Sequence, residues 1–319
     1  MKFSSLVSDN NCLYRYRIPV EQNILALEED RLYFSTPSNF NDPYDNLIFI
    51  NSDKIVGEVY GNLIVGMDAY LEKLKLKDPA IANWMNKNWK DEKQRNLMIE
   101  NHIDTVYACI DAIRKGIRNN PKVICFSSCY DSMLMWSHYA QNHRGFALVY
   151  DKKALQEADR YNRTDELVRN HIQLHQVKYV VRQKDMTESA LAYIRGNMLE
   201  NMGDVQIDNA EIIQKDIRDV LTEKSMEWSY ENEWRIIPRI TKIEKESELH
   251  YIKCQPKAVI LGSHCAPETI ERLSVVCHKK NIPVYRIFLS ETSPEFRLKV
   301  NDDGNIESTR TKHQVLYMG

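Results

Sequence analysis

Two glutamates two positions apart, Glu231 and Glu233, lie in the stretch SMEWSYENEWRII (residues 225–237) among Trp228, Tyr230 and Trp234. The stretch is too charged for an ordinary buried strand and too rich in aromatic and β-branched residues for a solvated loop. Read as a strand, ENEWRII alternates its side chains, so Glu231, Glu233 and Arg235 share one face while Asn232, Trp234 and Ile236 take the other. Two neighbouring carboxylates can divide labour: one stays ionised to stabilise a developing cation, the other acts as a base or positions an acceptor. The competing reading is a surface ladder in which Arg235 simply pairs with Glu233 in water.

The same logic applies to LYRYR, where Tyr14 and Tyr16 fall on one face and Arg15 and Arg17 on the other. Arginines at a strand end suit phosphate, because each offers planar, bidentate donors at fixed charge. Either could instead cap an acidic neighbour such as Glu28 or Glu29. In CFSSCYDSMLMWSHYAQNHRG, Ser127 and Ser128 end a strand, and Met133, Trp136 and Tyr139 or Ala140 follow helical spacing as core. Tyr139 sits at the margin of that stripe, where its ring can stack on a planar ligand while the hydroxyl stays wet. His138 lies off the stripe; imidazole is a group suited to proton transfer, although a lone histidine is more often a hydrogen-bonded structural residue.

Other chemistries find less support. Cys125 and Cys129 could join His138, and His264 with Cys265 could join Cys277 and His278, but neither group shows the two tight pairs usual for zinc, so no metal is expected. There is no GxxxxGK[ST] or GxGxxG stretch and no serine nucleophile elbow.

These residues must be positioned by an α+β framework. A strand around LYRYR, a short helix around Ile24 to Leu27, a second strand RLYFST and a turn built on Pro37, Asn39, Asn41, Asp42 and Pro43 come first. Val56, Val59, Leu63, Met67, Tyr70 and Leu74, then Ile99, Ile103, Val106, Ile110, Ile113 and Ile117, recur at helical spacing, so residues 53–120 read as a helical insertion. KVICFSS predicts a buried strand, a helix enters at Ser132, and GFALVY predicts another strand. Residues 152–226 read as a second, mostly helical block, broken by a strand at QVKYVV and carrying an apolar face of Ile212, Ile213, Ile217, Val220 and Leu221. Strands resume at HYIKC, AVILGS and VYRIFLS, with one helix, APETIERLSVVCHKK, whose first turn holds Pro267. The expectation is one α+β domain over 1–319, with a mixed or antiparallel sheet.

Composition bounds the partners. With 43 Lys plus Arg against 45 Asp plus Glu, the net charge of -2 supplies no global steering towards nucleic acid or acidic membrane. Seven cysteines with no secretory signal before them favour a reduced, cytoplasmic setting. No uncharged apolar run approaches the roughly 20 residues needed to span a bilayer.

Together LYRYR, LYFSTPSNFNDPYD, CFSSCYDSMLMWSHYAQNHRGFALVYD and WSYENEWRI, followed by VILGS, resemble an uncharacterised bacterial domain-of-unknown-function family. That family is in turn similar to the ADP-ribosyltransferase superfamily, particularly toxin enzymes that modify DNA, and DSMLMW resembles their SPMLY segment. The resemblance implies a curved, split mixed or antiparallel sheet with NAD, as substrate, in a central cleft. It matches Arg17, with Arg15 as the other candidate, to the first-strand basic position, Ser127 and Tyr139 to the central element, and Glu233 to the late catalytic glutamate. Glu233 would then stabilise the oxocarbenium-like ribose, and Glu231 would orient or deprotonate the acceptor. Arg17 would hold the dinucleotide phosphates and Tyr139 would stack near nicotinamide, with Arg15, Ser127 and His138 completing the cofactor-binding set. Arg17, Tyr139 and Glu233 are therefore expected to converge on one cleft. The Ser-Thr-Ser triplet of the superfamily is missing. The implied activity is transfer of ADP-ribose from NAD to nucleic acid or protein, by a toxin or phage-defence effector. NAD glycohydrolysis is the close variant. From a different class, the chain could be an inactive nucleic-acid- or protein-binding module with an antitoxin or defence-system partner.

Overall fold

The computed structural model describes residues 2–7, 11–158, 172–201, 210–238, 250–290 and 298–301, without the side chains of 172, 197–201 and 210–215. The chain divides into two compact units, one formed by 1–39, 122–179 and 224–319, the other by 40–121 and 180–223.

In chain order the strands are β1 (Cys12–Arg17), β2 (Arg31–Tyr33), β3 (Ile124–Ser127), β4 (Phe146–Asp151), β5 (Ile172–Gln176) and β6 (Lys178–Val180). They continue with β7 (Glu223–Ser225), β8 (Glu233–Pro238), β9 (Tyr251–Lys253), β10 (Ala258–Leu261), β11 (Val284–Leu289) and β12 (Leu298–Val300). Eight form one open, mixed sheet in the order β12-β11-β10-β4-β1-β3-β8-β5. Among the described strands of this sheet only β10 and β11 pair in parallel, and the helix Pro267–Lys279 makes the crossover that a parallel pair requires. β2 pairs with β9, and β6 with β7. The architecture is α+β, as expected.

Alternation along the central strands builds a different apolar layer on each face of this sheet. Leu13, Phe126, Leu148, Tyr150 and Ile236 join one cluster with Leu273 and Cys277 of the crossover helix. Tyr14, Tyr16, Ala147, Val149 and Ile260 join the other with Met135 and Trp136. Trp136 is fully buried, and its indole N–H donates to the Tyr130 carbonyl at 2.7 Å. The helix Met133–Tyr139 starts where Ser132 accepts a hydrogen bond from Met135 N, as its sequence predicts. Trp136 and Ala140 are buried, as the expected stripe has them, but Met133 is 44% exposed and Met135 takes its place in the core.

The second unit is helical. Asn51, Asp78 and Asp91 cap the helices Ser52–Lys77, Pro79–Lys90 and Glu92–Asn119 by accepting from backbone N–H groups of the first turn. Ile55, Val59, Val106, Ile110 and Ile117 form its core with Ala190, Leu191 and Ile194 of the helix Thr187–Asn201. Of the face expected on 212–221, Val220 and Leu221 are buried, Ile217 packs against the core, and the side chains of Ile212 and Ile213 lie outside those described. The single strand expected at QVKYVV is two, β5 and β6, interrupted at Val177, whose N–H donates to the Glu233 carbonyl.

Candidate functional site

The expectation that Glu231 and Glu233 share one strand face is corrected by the backbone between them. Residues Met226–Glu231 form a 3-10 helix, Asn232 takes a left-handed conformation with φ 44°, and the strand begins only at Glu233. Asparagine tolerates that conformation better than most residues, so the kink has a local cause. The carboxylates nevertheless meet, because both reach a third side chain. Lys224 Nζ lies 2.5 Å from Glu231 Oε2 and 3.1 Å from Glu233 Oε2.

Around this lysine the charges balance. Arg235 grips Glu233 in a fork, with Nε 2.8 Å from Oε1 and Nη2 3.0 Å from Oε2. The Tyr139 hydroxyl donates to Glu231 Oε1 at 2.5 Å. Two anions and two cations are thus withdrawn from water together, and Arg235 is 0% exposed. The solvated ladder is therefore not what forms: Arg235 does pair with Glu233, but inside the protein. Such a cluster holds only if nearly every lone pair and proton is met.

Ser127 locks the turn onto the sheet. It stands opposite Glu233 in the β3–β8 register, its hydroxyl donates to the Glu231 carbonyl at 2.6 Å, and it accepts from Cys129 N–H at 3.0 Å. Ser128 N–H donates to the Asn232 carbonyl, and Glu233 N–H to the Tyr179 hydroxyl at 2.8 Å. Cys125 stands opposite Arg235 in the same register. Burial, then the Glu233 charge, push the Cys125 thiol well above its usual pKa, so it is no ready thiolate.

The environments of the two carboxylates differ. Burial raises the Glu231 pKa, opposed by Lys224 and reinforced by the neighbouring Glu233. Burial acts the same way on Glu233, but Arg235 and Lys224 outweigh it and bring its pKa down to about 2. Glu233 is accordingly a fixed anion, and Glu231 is the group closer to exchanging a proton.

Aromatic rings line the outer edge of the cluster. Lys224 Nζ sits 5.0 Å from the Trp228 ring, Trp228 lies 5.9 Å from Tyr230, and Tyr230 lies 5.8 Å from His138. His138 is exposed and its Nδ1 is 3.0 Å from the Tyr230 hydroxyl. Glu231, Glu233, Ser127, Tyr139 and His138 are thus neighbours.

Arg15 and Arg17 are not among them. The alternation of β1 sends Tyr14 and Tyr16 to the face that carries Ser127 and Glu233, and sends Leu13 and both arginines to the opposite face. Arg15 lies over the Phe126 ring and donates to the Tyr33 carbonyl. The expected convergence of Arg17, Tyr139 and Glu233 on one cleft therefore does not occur. Neither arginine caps Glu28 or Glu29; it is Arg31 that pairs with Glu29.

Lys224 and Tyr179 are not singled out by the sequence, and Tyr230 stands out there only as a ring beside the glutamates. Lys224 is seven residues from Glu231 and separated from it by a 3-10 helix, a spacing with no regular period to reveal it. Among the described residues no group of three or more His, Cys, Asp and Glu side chains could hold a metal ion, and no helix is long and apolar enough to cross a membrane.

Nothing among the curated proteins or the solved structures matches the chain. Residues 135–236, from the core of the Ser132-capped helix to the middle of β8, match the family model described as Protein of unknown function (DUF2971), so the stretch that carries Tyr139, Lys224, Glu231 and Glu233 is similar to an uncharacterised family.

Proposed function

We propose that the protein is an NAD-consuming enzyme of the ADP-ribosyltransferase kind, with a sheet of that type. It transfers ADP-ribose to a nucleic acid or protein acceptor as a cytoplasmic toxin or phage-defence effector. The observation that carries this reading is the meeting of two buried carboxylates on Lys224, Glu233 gripped by Arg235 and Glu231 by the Tyr139 hydroxyl. Cleavage of the nicotinamide glycosidic bond builds positive charge on the ribose, and Glu233, held ionised by Arg235, is the anion suited to oppose it. Glu231, with the higher affinity, is suited to receive the proton of the acceptor, and the Tyr139 hydroxyl orients it. His138, Tyr230 and Trp228 offer flat surfaces for a nicotinamide ring. The residues fit that end of NAD but not its pyrophosphate, because Arg15 and Arg17 face away, so no step is assigned to them.

A second reading, an inactive module that binds nucleic acid or protein, is favoured by the saturated shell of Glu233. Arg235 and Lys224 already occupy its oxygens. Incubation of the purified protein with radiolabelled NAD separates the two. Release of nicotinamide with label transferred to macromolecules of a cell lysate, abolished in Glu233→Gln, supports transfer. Release without transfer indicates the glycohydrolase. Intact NAD at enzyme stoichiometry, with no label transferred, rules out both enzymatic readings.

A further inference from the structure

Arg15 and Arg17 project from the face of β1 that also carries Leu13, next to Phe146 and Leu148 of β4 and to Phe126 and Tyr150. Two residues along one strand face are separated by about 7 Å, which lets both guanidinium groups reach a single oxyanion. The surroundings leave Arg15 unmet. Arg15 is 7% exposed, and one of its nitrogens, Nη2, donates to the Tyr33 carbonyl at 3.0 Å, while Nε and Nη1 are buried with no acceptor. Arg17 Nη1 reaches only the carbonyl of its neighbour Tyr16, at 3.3 Å. Burial lowers the Arg17 pKa, and the groups that oppose this are Tyr150 and Cys125, neither of them a carboxylate. Among the described residues neither arginine has an acidic partner. Guanidinium donors left buried and unpaired carry their full desolvation penalty, which an arriving anion relieves.

We propose that Arg15 and Arg17 form a binding site for a phosphate-bearing ligand on the face of the sheet opposite the Glu231–Lys224–Glu233 cluster. A carboxylate satisfies one arginine fork, whereas a phosphate dianion has the charge and the oxygens to engage two. The β1 strand lies inside the sheet, hydrogen-bonded to β4 on one side and β3 on the other, so a ligand cannot pass between the faces. The bound phosphate is therefore separate from anything held at the carboxylates, and the site stands whether or not the protein consumes NAD. The Phe126 ring covers the Arg15 guanidinium with apolar surface, which excludes water and strengthens charge-assisted hydrogen bonds there.

The test is calorimetric titration of the full chain with inorganic phosphate and with adenosine 5′-monophosphate at constant ionic strength, alongside thermal denaturation in phosphate and in chloride. Wild type should bind with saturation and melt at a higher temperature in phosphate than in chloride. Arg17→Gln should weaken binding by about tenfold or more. Arg15→Met removes the buried unmet donors, so it should abolish the phosphate response and melt no lower than wild type in chloride. Tyr139→Phe, on the opposite face, should bind phosphate as wild type does. Tighter binding of the nucleotide identifies a nucleotide as the bearer, and equal binding identifies phosphate itself; either outcome supports the site. Equal melting of wild type in phosphate and chloride overturns it. So does a phosphate response that survives in both arginine variants or disappears in Tyr139→Phe.

Discussion

Lys224 Nζ lies 2.5 Å from Glu231 Oε2, and both side chains are about 4% exposed. The lysine is the shared cation of two carboxylates that local backbone geometry points from different elements, the 3-10 helix and β8. Its removal leaves Glu231 without a cation and Glu233 with Arg235 alone. Lys224→Met should therefore destabilise the protein by about 3–5 kcal/mol, measured by urea denaturation. A loss under about 1 kcal/mol would show that the cluster relaxes into water.

Acid sensitivity should trace to Glu233. Burial tends to raise its pKa, but Arg235 and Lys224 bring it from an ordinary 4.5 to about 2. A carboxylate depressed in the folded state contributes stability that is fully present above its unfolded pKa and is lost as pH falls through its folded one. The Glu233 contribution should thus vanish between about pH 4.5 and about pH 2. Glu231 acts in the opposite sense: burial raises its pKa, so its ionisation costs stability as pH rises above the unfolded value. Urea midpoints measured across this range should fall steeply for wild type and for Glu231→Gln. Glu233→Gln should begin less stable and give a flatter acid limb; an acid limb as steep as that of wild type refutes the assignment.

The Tyr139 hydroxyl offers a finer probe, because it stabilises the ionised form of Glu231. Tyr139→Phe keeps the ring and should cost only about 1 kcal/mol of stability. It should also move the Glu231 titration upward, detectable by NMR of the side-chain carboxyl carbon. Under the proposed activity the acid limb of the pH–rate profile, set by deprotonation of Glu231 as the base, moves with it, an effect that a merely structural hydroxyl would not produce.

Gly145 stands where β4 meets β1. A Cβ there would fall 2.1 Å from the Arg17 carbonyl oxygen, an approach that backbone cannot relieve by rotating a side chain. Gly145→Ala should cost about 3 kcal/mol or more. Gly61, inside the helix Ser52–Lys77, has nothing within 4 Å of the same position, so Gly61→Ala should stabilise by about 0.5–1 kcal/mol. Thermal melts of the two variants should shift in opposite directions.

Much of the framework is legible locally. The two long helices of the second unit follow from apolar residues recurring at three and four, and Asn51, Asp78, Asp91 and Ser132 mark helix starts by their side-chain oxygens. The faces of β1 follow from strand alternation alone: Tyr14 with Tyr16, Arg15 with Arg17. Period failed where backbone conformation changes within a few residues, as at Asn232 and Val177, since alternation assumes an unbroken strand.

The chain by itself determined which side chains are available for chemistry and, through periodicity, which neighbours share a face. Those are properties of the next few residues. Only the tertiary structure decided that Glu231 and Glu233 meet on Lys224, and that Ser127 joins them across 104 positions of sequence. It also decided that Arg15 and Arg17 turn away, because which face of β1 meets which layer depends on pairing with β3 and β4, partners more than a hundred residues distant. Burial then turned an ordinary charged sequence into two carboxylates of unlike character, since desolvation and buried partners arise only once the layers are packed.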